Sequence, residues 1–184
     1  MKTKILFFLF ATVLPVFVFA QSAQLKIGYT NMDYILTQLP EYKTIESEIN
    51  SYQKQLESQL NSKYQEYQDK LDDYQQKMQA GSLTTQDRQT REQELTDLQQ
   101  SIQKFQSDAD TSLQKKSAEL LQPAYDKIMK AVHDVAIAEG YTHVFSNAAG
   151  NVPILLYGED KFDITNDVLK KLGVTPSETT TQKK

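Results

Sequence analysis

The stretch "YQKQLESQLNSKYQEYQDKLDDYQQKM", Tyr52 to Met78, contains no Gly and no Pro. Its apolar residues are thinly spaced among Gln, Lys, Glu and Asp. Such a composition predicts a long helix with little to bury, and such a helix does not belong to an ordinary globular core.

Working outward, the same stripe continues on both sides. It reads Tyr42, Ile45, Ile49, Tyr52, Leu56, Leu60, Tyr64, Tyr67, Leu71, Tyr74, Met78, always in steps of three or four. The steps alternate as heptads at each end. Between Leu56 and Tyr67 they read four, four, three, an eleven-residue unit that locally relaxes left-handed supercoiling. A second stripe follows: Leu95, Leu98, Ile102, Phe105, Ala109, Leu113, Leu120, Ala124. Between the two stripes lies "QAGSLTTQD", where Gly81 breaks the first helix and Thr84 or Thr85 can cap the second. Two helices joined by so short a turn fold back as an antiparallel hairpin.

Folding about residue 82 sets Glu41 level with Pro123. Proline inside a helix removes a hydrogen bond and kinks it. Pro123 therefore reads as a hinge between a protruding arm (41–122) and a body made of 21–40 and 123–173; a harmless kink in a continuous helix is the rival reading. In the body, "LKIGYTN" (25–31), "YTHVFSN" (141–147) and "VPILLYG" (152–158) read as strands, the last two joined by "AAGN" as a hairpin loop. "DITNDVLKKLG" reads as a short helix capped by Asp163 or Thr165 and ended by Gly173. The tail 174–184 reads as disordered. Residues 1–20, with Lys2 and Lys4 before an apolar run ending "VFA", read as a cleavable signal peptide, with a retained anchor as the alternative.

Three short strands in a body of about 71 residues leave two open sheet edges and a marginal core. Joining edges between copies removes both problems, so the body predicts a homo-oligomer whose number the sequence does not set. Without residues 1–20 the formal charge moves from −4 to −6, because Lys2 and Lys4 leave with them. An acidic chain makes nucleic acid an unsuitable partner. There is no Cys, the six Gly residues are scattered, and the two His residues lie on different elements. Neither a metal centre, nor a catalytic constellation, nor a phosphate cradle emerges, so no cofactor and no enzyme activity are expected.

The parts in order resemble the Skp/OmpH family of periplasmic chaperones. The resemblance rests on "KIGYTNMDYIL" at the first strand, the long helical hairpin, "HVFSNAAGNVPILLYG", and "DITNDVLKKL". It implies an α+β, predominantly helical fold, with a long helical-hairpin arm on a small β-barrel oligomerisation body in a jellyfish-like trimer. It implies a periplasmic location and an ATP-independent holdase that keeps unfolded outer-membrane proteins from aggregating in a cavity between arms. The alternative, from the helices alone, is a coiled-coil spacer or adaptor of the cell envelope. This chain departs from the basic arms of the best-known members: acidic residues outnumber basic ones by five between Glu41 and Gln122. That excess argues against electrostatic capture of acidic clients and against direct membrane or lipopolysaccharide binding. The side chains expected to touch a client are Tyr64, Tyr67, Tyr74, Met78 and Leu83, the Tyr residues doubling as seam filler.

Overall fold

The structure is a computed structural model that describes residues 25–150 and 152–175. The sequence expectations on the signal segment 1–20, on Asn151 and on the tail beyond Thr175 lie outside the described residues. Four helices and four short strands follow in chain order: β1 (Ile27–Thr30), α1 (Met32–Gln38), α2 (Tyr42–Gln79), α3 (Thr85–Glu139), β2 (His143–Ser146), β3 (Ala148–Ala149), β4 (Val152–Pro153) and α4 (Thr165–Lys171), with one turn of 3-10 helix at Asp160–Phe162.

α2 has 38 residues and α3 has 55, so they extend to about 57 and 83 Å at 1.5 Å per residue. Gly81, at φ +66°, ends α2 in the left-handed conformation that a side chain resists. The Ser82 amide donates to the Lys77 carbonyl and that of Gly81 to Met78, which satisfies carbonyls that the helix end leaves free. Thr84, not Thr85, caps α3. Its Oγ1 accepts from the Asp87 amide at 3.1 Å, and the Asp87 carboxylate accepts in return from the Thr84 amide at 3.2 Å.

The two helices run antiparallel. Lys63 meets Ser101, Lys70 meets Glu94 and Asp73 meets Arg91, each pair placed symmetrically about residue 82. The contact is shallow. α2 has no buried residue, and in α3 only Ile102 is buried before Ala124. Nine of the eleven stripe residues of α2 are half-buried; Tyr64 and Met78 are exposed.

The buried core lies elsewhere. Ile35, Leu36 and Leu39 from α1 and its end pack with Ala124, Ile128, Ala131 and Val135 of α3 and with Ile164, Val168 and Leu169 around α4. α3 thus serves two structures, pairing with α2 along its first part and forming the spine of this core with its last part. β1 pairs in parallel with β2, in the register Ile27 to His143, and β3 pairs antiparallel with β4. Ile164 stands at the N-cap of α4, in place of the expected Asp163 or Thr165; Asp163, one residue before it, accepts from the Thr165 amide through Oδ1 at 2.9 Å.

Two expectations need correction. Residues 141–147 and 152–158 do not form one hairpin. β2 takes β1 as its partner, and the turn is made by two-residue strands, Ala148–Ala149 against Val152–Pro153. Ile154 to Gly158 carry no regular structure: the amides of Ile154 and Leu155 both donate to the Asn147 carbonyl, and the segment then passes the Tyr29 ring of β1 at Gly158 without forming a ladder. In addition, α1 was not expected. Asn31 starts it, its Oδ1 accepting from the Tyr34 amide at 2.9 Å.

Candidate functional site

The five residues expected to touch a client are strung along the arm and form no single pocket. Tyr64 and Met78 are 45% and 37% exposed, whereas Tyr67, Tyr74 and Leu83 are half-buried. The fourteen steps from Tyr64 to Met78 cover about 21 Å of helix. Exposure therefore separates the five: Tyr64 and Met78 present surface to solvent, and the other three are covered in part by the hairpin.

The exposure of Tyr64 has a local cause. At the four-four-three step the stripe turns off the seam, and Lys63 takes the inward position instead, its Nζ donating to Ser101 Oγ at 3.2 Å and lying 5.7 Å from the Phe105 ring centre. Tyr64 swings to the flank, where its hydroxyl accepts from Gln106 Nε2 at 2.9 Å. Beside it the hairpin opens into a cleft of about 430 Å³, lined along the seam by Leu56, Leu60, Ala109 and Leu113. Ala109 faces two leucines there, and its small side chain leaves the space. The eleven-residue unit is legible in the sequence; the cleft depends on which α3 side chains face it and is not.

Near the tip the hairpin is held by charge more than by apolar contact. The Asp73 carboxylate accepts from Lys77 at 2.9 Å and from Arg91 at 2.5 Å, and these bonds hold its pKa below the usual carboxylate range. Lys70 pairs with Glu94 at 3.0 Å. The Tyr74 hydroxyl donates to Glu92 at 2.6 Å, which raises the phenol's pKa. Of the three cations between residues 72 and 95, Lys77, Arg88 and Arg91, the first and last are thereby engaged with Asp73.

Pro123 is exposed within an unbroken α3. One turn beyond it, Lys127 reaches across to Glu41 at 2.7 Å, where α2 leaves the body. The body itself presents a broad apolar surface. Leu25, Ile27, Phe145, Val152, Ile154, Leu156 and Tyr157 are exposed by 43–89%. They sit just before β1, on the strands, and on the irregular segment that follows β4. Exposure on that scale, gathered on open strand edges, marks an interaction surface. Among the described residues no group of three or more His, Cys, Asp or Glu is placed to hold a metal ion.

A protein-family model described as Outer membrane protein (OmpH-like) matches residues 26–172, from just before β1 to just after α4. The chain belongs to the OmpH-like family. A search of the curated proteins finds no match. The family match spans arm and body together, so strands, hairpin and final helix are parts of one OmpH-like unit.

Proposed function

We propose that this OmpH-like protein is an ATP-independent holdase of the periplasm, which binds unfolded outer-membrane proteins between helical arms and keeps them from aggregating. The observation that carries the reading is the arm itself: tens of residues of paired helix with a single buried side chain. A helix pair that buries so little of its own surface is available to a partner along its length. Many weak contacts of this kind detain an unfolded chain without locking it, so release needs no nucleotide. A client held in this way has its strand segments kept from other chains.

The body completes the device as a homo-oligomer, by family resemblance a trimer. Its exposed apolar residues and open strand edges are satisfied when copies close into a small barrel, and the arms then surround a shared cavity. In this scheme 21–40 and 123–173 form the oligomerisation body, 41–122 form the arm, and Pro123 is the hinge. Because Pro123 has no amide hydrogen, the Glu119 carbonyl lacks its helical partner, which softens α3 where arm meets body.

The test is light scattering after dilution of a urea-unfolded outer-membrane β-barrel protein. Suppression of aggregation at a near-stoichiometric ratio of arms to client is expected. Aggregation at the same rate with and without the protein overturns the reading.

A further inference from the structure

The open flank of the hairpin at Tyr64 has a chemistry of its own. Its floor is aliphatic, from Leu56, Leu60, Ala109 and Leu113, and its rims carry one carboxylate each, Glu57 on α2 and Asp110 on α3. Neither acid belongs to an ion pair: Glu57 accepts only from the neutral Gln53 amide, at 2.9 Å. Tyr64, tethered by Gln106, lies on the same flank one turn nearer the tip and adds an aromatic surface with a fixed position. The volume of about 430 Å³ falls in the range of clefts that enclose a side chain or small ligand, roughly 300–1,000 Å³.

An apolar floor between two unneutralised carboxylates complements an aromatic or large aliphatic side chain with a cation on either side. An extended chain offers that arrangement readily. Successive side chains point to opposite faces, and long Lys or Arg stems reach back to a rim while their apolar neighbour enters the cleft. Strands of membrane β-barrels carry aromatic residues in girdles at both interfaces, so an unfolded barrel supplies such segments.

We infer that the cleft rimmed by Glu57 and Asp110, with Tyr64 beside it on Gln106, is a docking site for client segments that place an aromatic residue beside Lys or Arg. This rests on the holdase reading and sharpens it. The acidic arm then selects segments by charge instead of merely tolerating them. The adjacent Tyr64 ring face also suits an Arg or Lys that comes to rest on it. Rim charges are solvent-exposed, so the selectivity weakens as ionic strength rises.

Fluorescence anisotropy with the purified full chain tests this, using three labelled ten-residue peptides that alternate Trp with Lys, Trp with Glu, and Ser with Lys. The Trp–Lys peptide is expected to bind about fivefold more tightly than the Trp–Glu peptide at low salt, and the Ser–Lys peptide more weakly than either. Glu57→Lys with Asp110→Lys, both at exposed positions, is expected to keep the helical circular dichroism and reverse the preference between the two Trp peptides. Ala109→Leu fills the floor and is expected to weaken both Trp peptides together. Equal binding of the Trp–Lys and Trp–Glu peptides, or a preference unchanged in the double variant, overturns the assignment. The peptide result decides the cleft whatever the light-scattering result. Normal suppression of aggregation with no charge preference removes the cleft alone, and absent suppression removes the holdase reading.

Discussion

Lys127 Nζ donates to Glu41 Oε1 at 2.7 Å, joining the residue where the chain leaves the body for the arm to the helix by which it returns. The bond holds the Glu41 carboxyl below the ordinary range, chiefly through Lys127. A lowered folded pKa means that the contribution is complete above the unfolded value near 4.3 and is lost as pH falls through the folded one. Both side chains are more than a third exposed, so the pair contributes at most about 0.5 kcal/mol. Glu41→Gln is expected to lower urea stability at pH 7 by no more than that, and the difference from wild type is expected to shrink once pH falls below about 4.3 and to vanish below the lowered folded value. Urea titrations at the two pH values check it.

Asp73 ties the tip together through Lys77 and Arg91. Asp73→Asn removes the charge that holds Arg91 across the hairpin. Hydrogen exchange is expected to quicken in residues 70–95 and to remain unchanged in the core segments around Ile128 and Val168. Because the pair is exposed, 1 M salt is expected to give the wild-type tip the same faster exchange. Acid acts in the same direction: the contribution of Asp73 is complete above the ordinary aspartate value of about 3.9 and disappears as pH falls through its lowered folded value.

Gly158 approaches β1 closely. A Cβ placed there would lie 2.5 Å from the Tyr29 ring and 3.0 Å from Leu155. Since Tyr29 lies in β1, the collision pushes the segment after β4 off the sheet. Gly158→Ala is expected to cost about 1–3 kcal/mol of stability, the range for overpacking, measured by chemical denaturation.

The arm was the most legible part of the molecule. Its three- and four-residue steps admit only helix, and Gly81 with Thr84 marks a stop and a start that the structure keeps. The body was less legible, because its order depends on contacts distant in sequence. α1 spans seven residues, too few for a period to emerge, and it is held by Ile35 and Leu36 against α3 and α4. The parallel pairing of Ile27–Thr30 with His143–Ser146 joins segments more than a hundred residues apart. The apolar run 152–158 reads as a strand from its β-rich composition, but a strand needs a ladder, and among the described residues the segment past Pro153 forms none. Among the residues expected to touch a client, the stripe gave Tyr64 its place in the heptad count, while the departure of that count from seven turned it outward.

Leu156 and Tyr157, 89% and 81% exposed, are the most exposed large apolar side chains among the described residues, and the proposed oligomer covers them with other copies. Leu156→Asp removes no contact of any size within one chain, so the fold of the subunit is expected to survive. Size exclusion with light scattering is expected to show the oligomer of the wild type dissociating in the variant. A wild-type protein that is a folded monomer at micromolar concentration would refute the oligomeric body.

The decisive measurement is aggregation of a urea-diluted outer-membrane β-barrel protein in the presence of a variant in which residues 52–112 are replaced by a short Gly-Ser turn. The body core, from Ile35 to Leu169, lies outside the deletion. A folded, oligomeric protein with no power to suppress aggregation is the expected result. Full protection of the client by that shortened protein would contradict the role given to the arm.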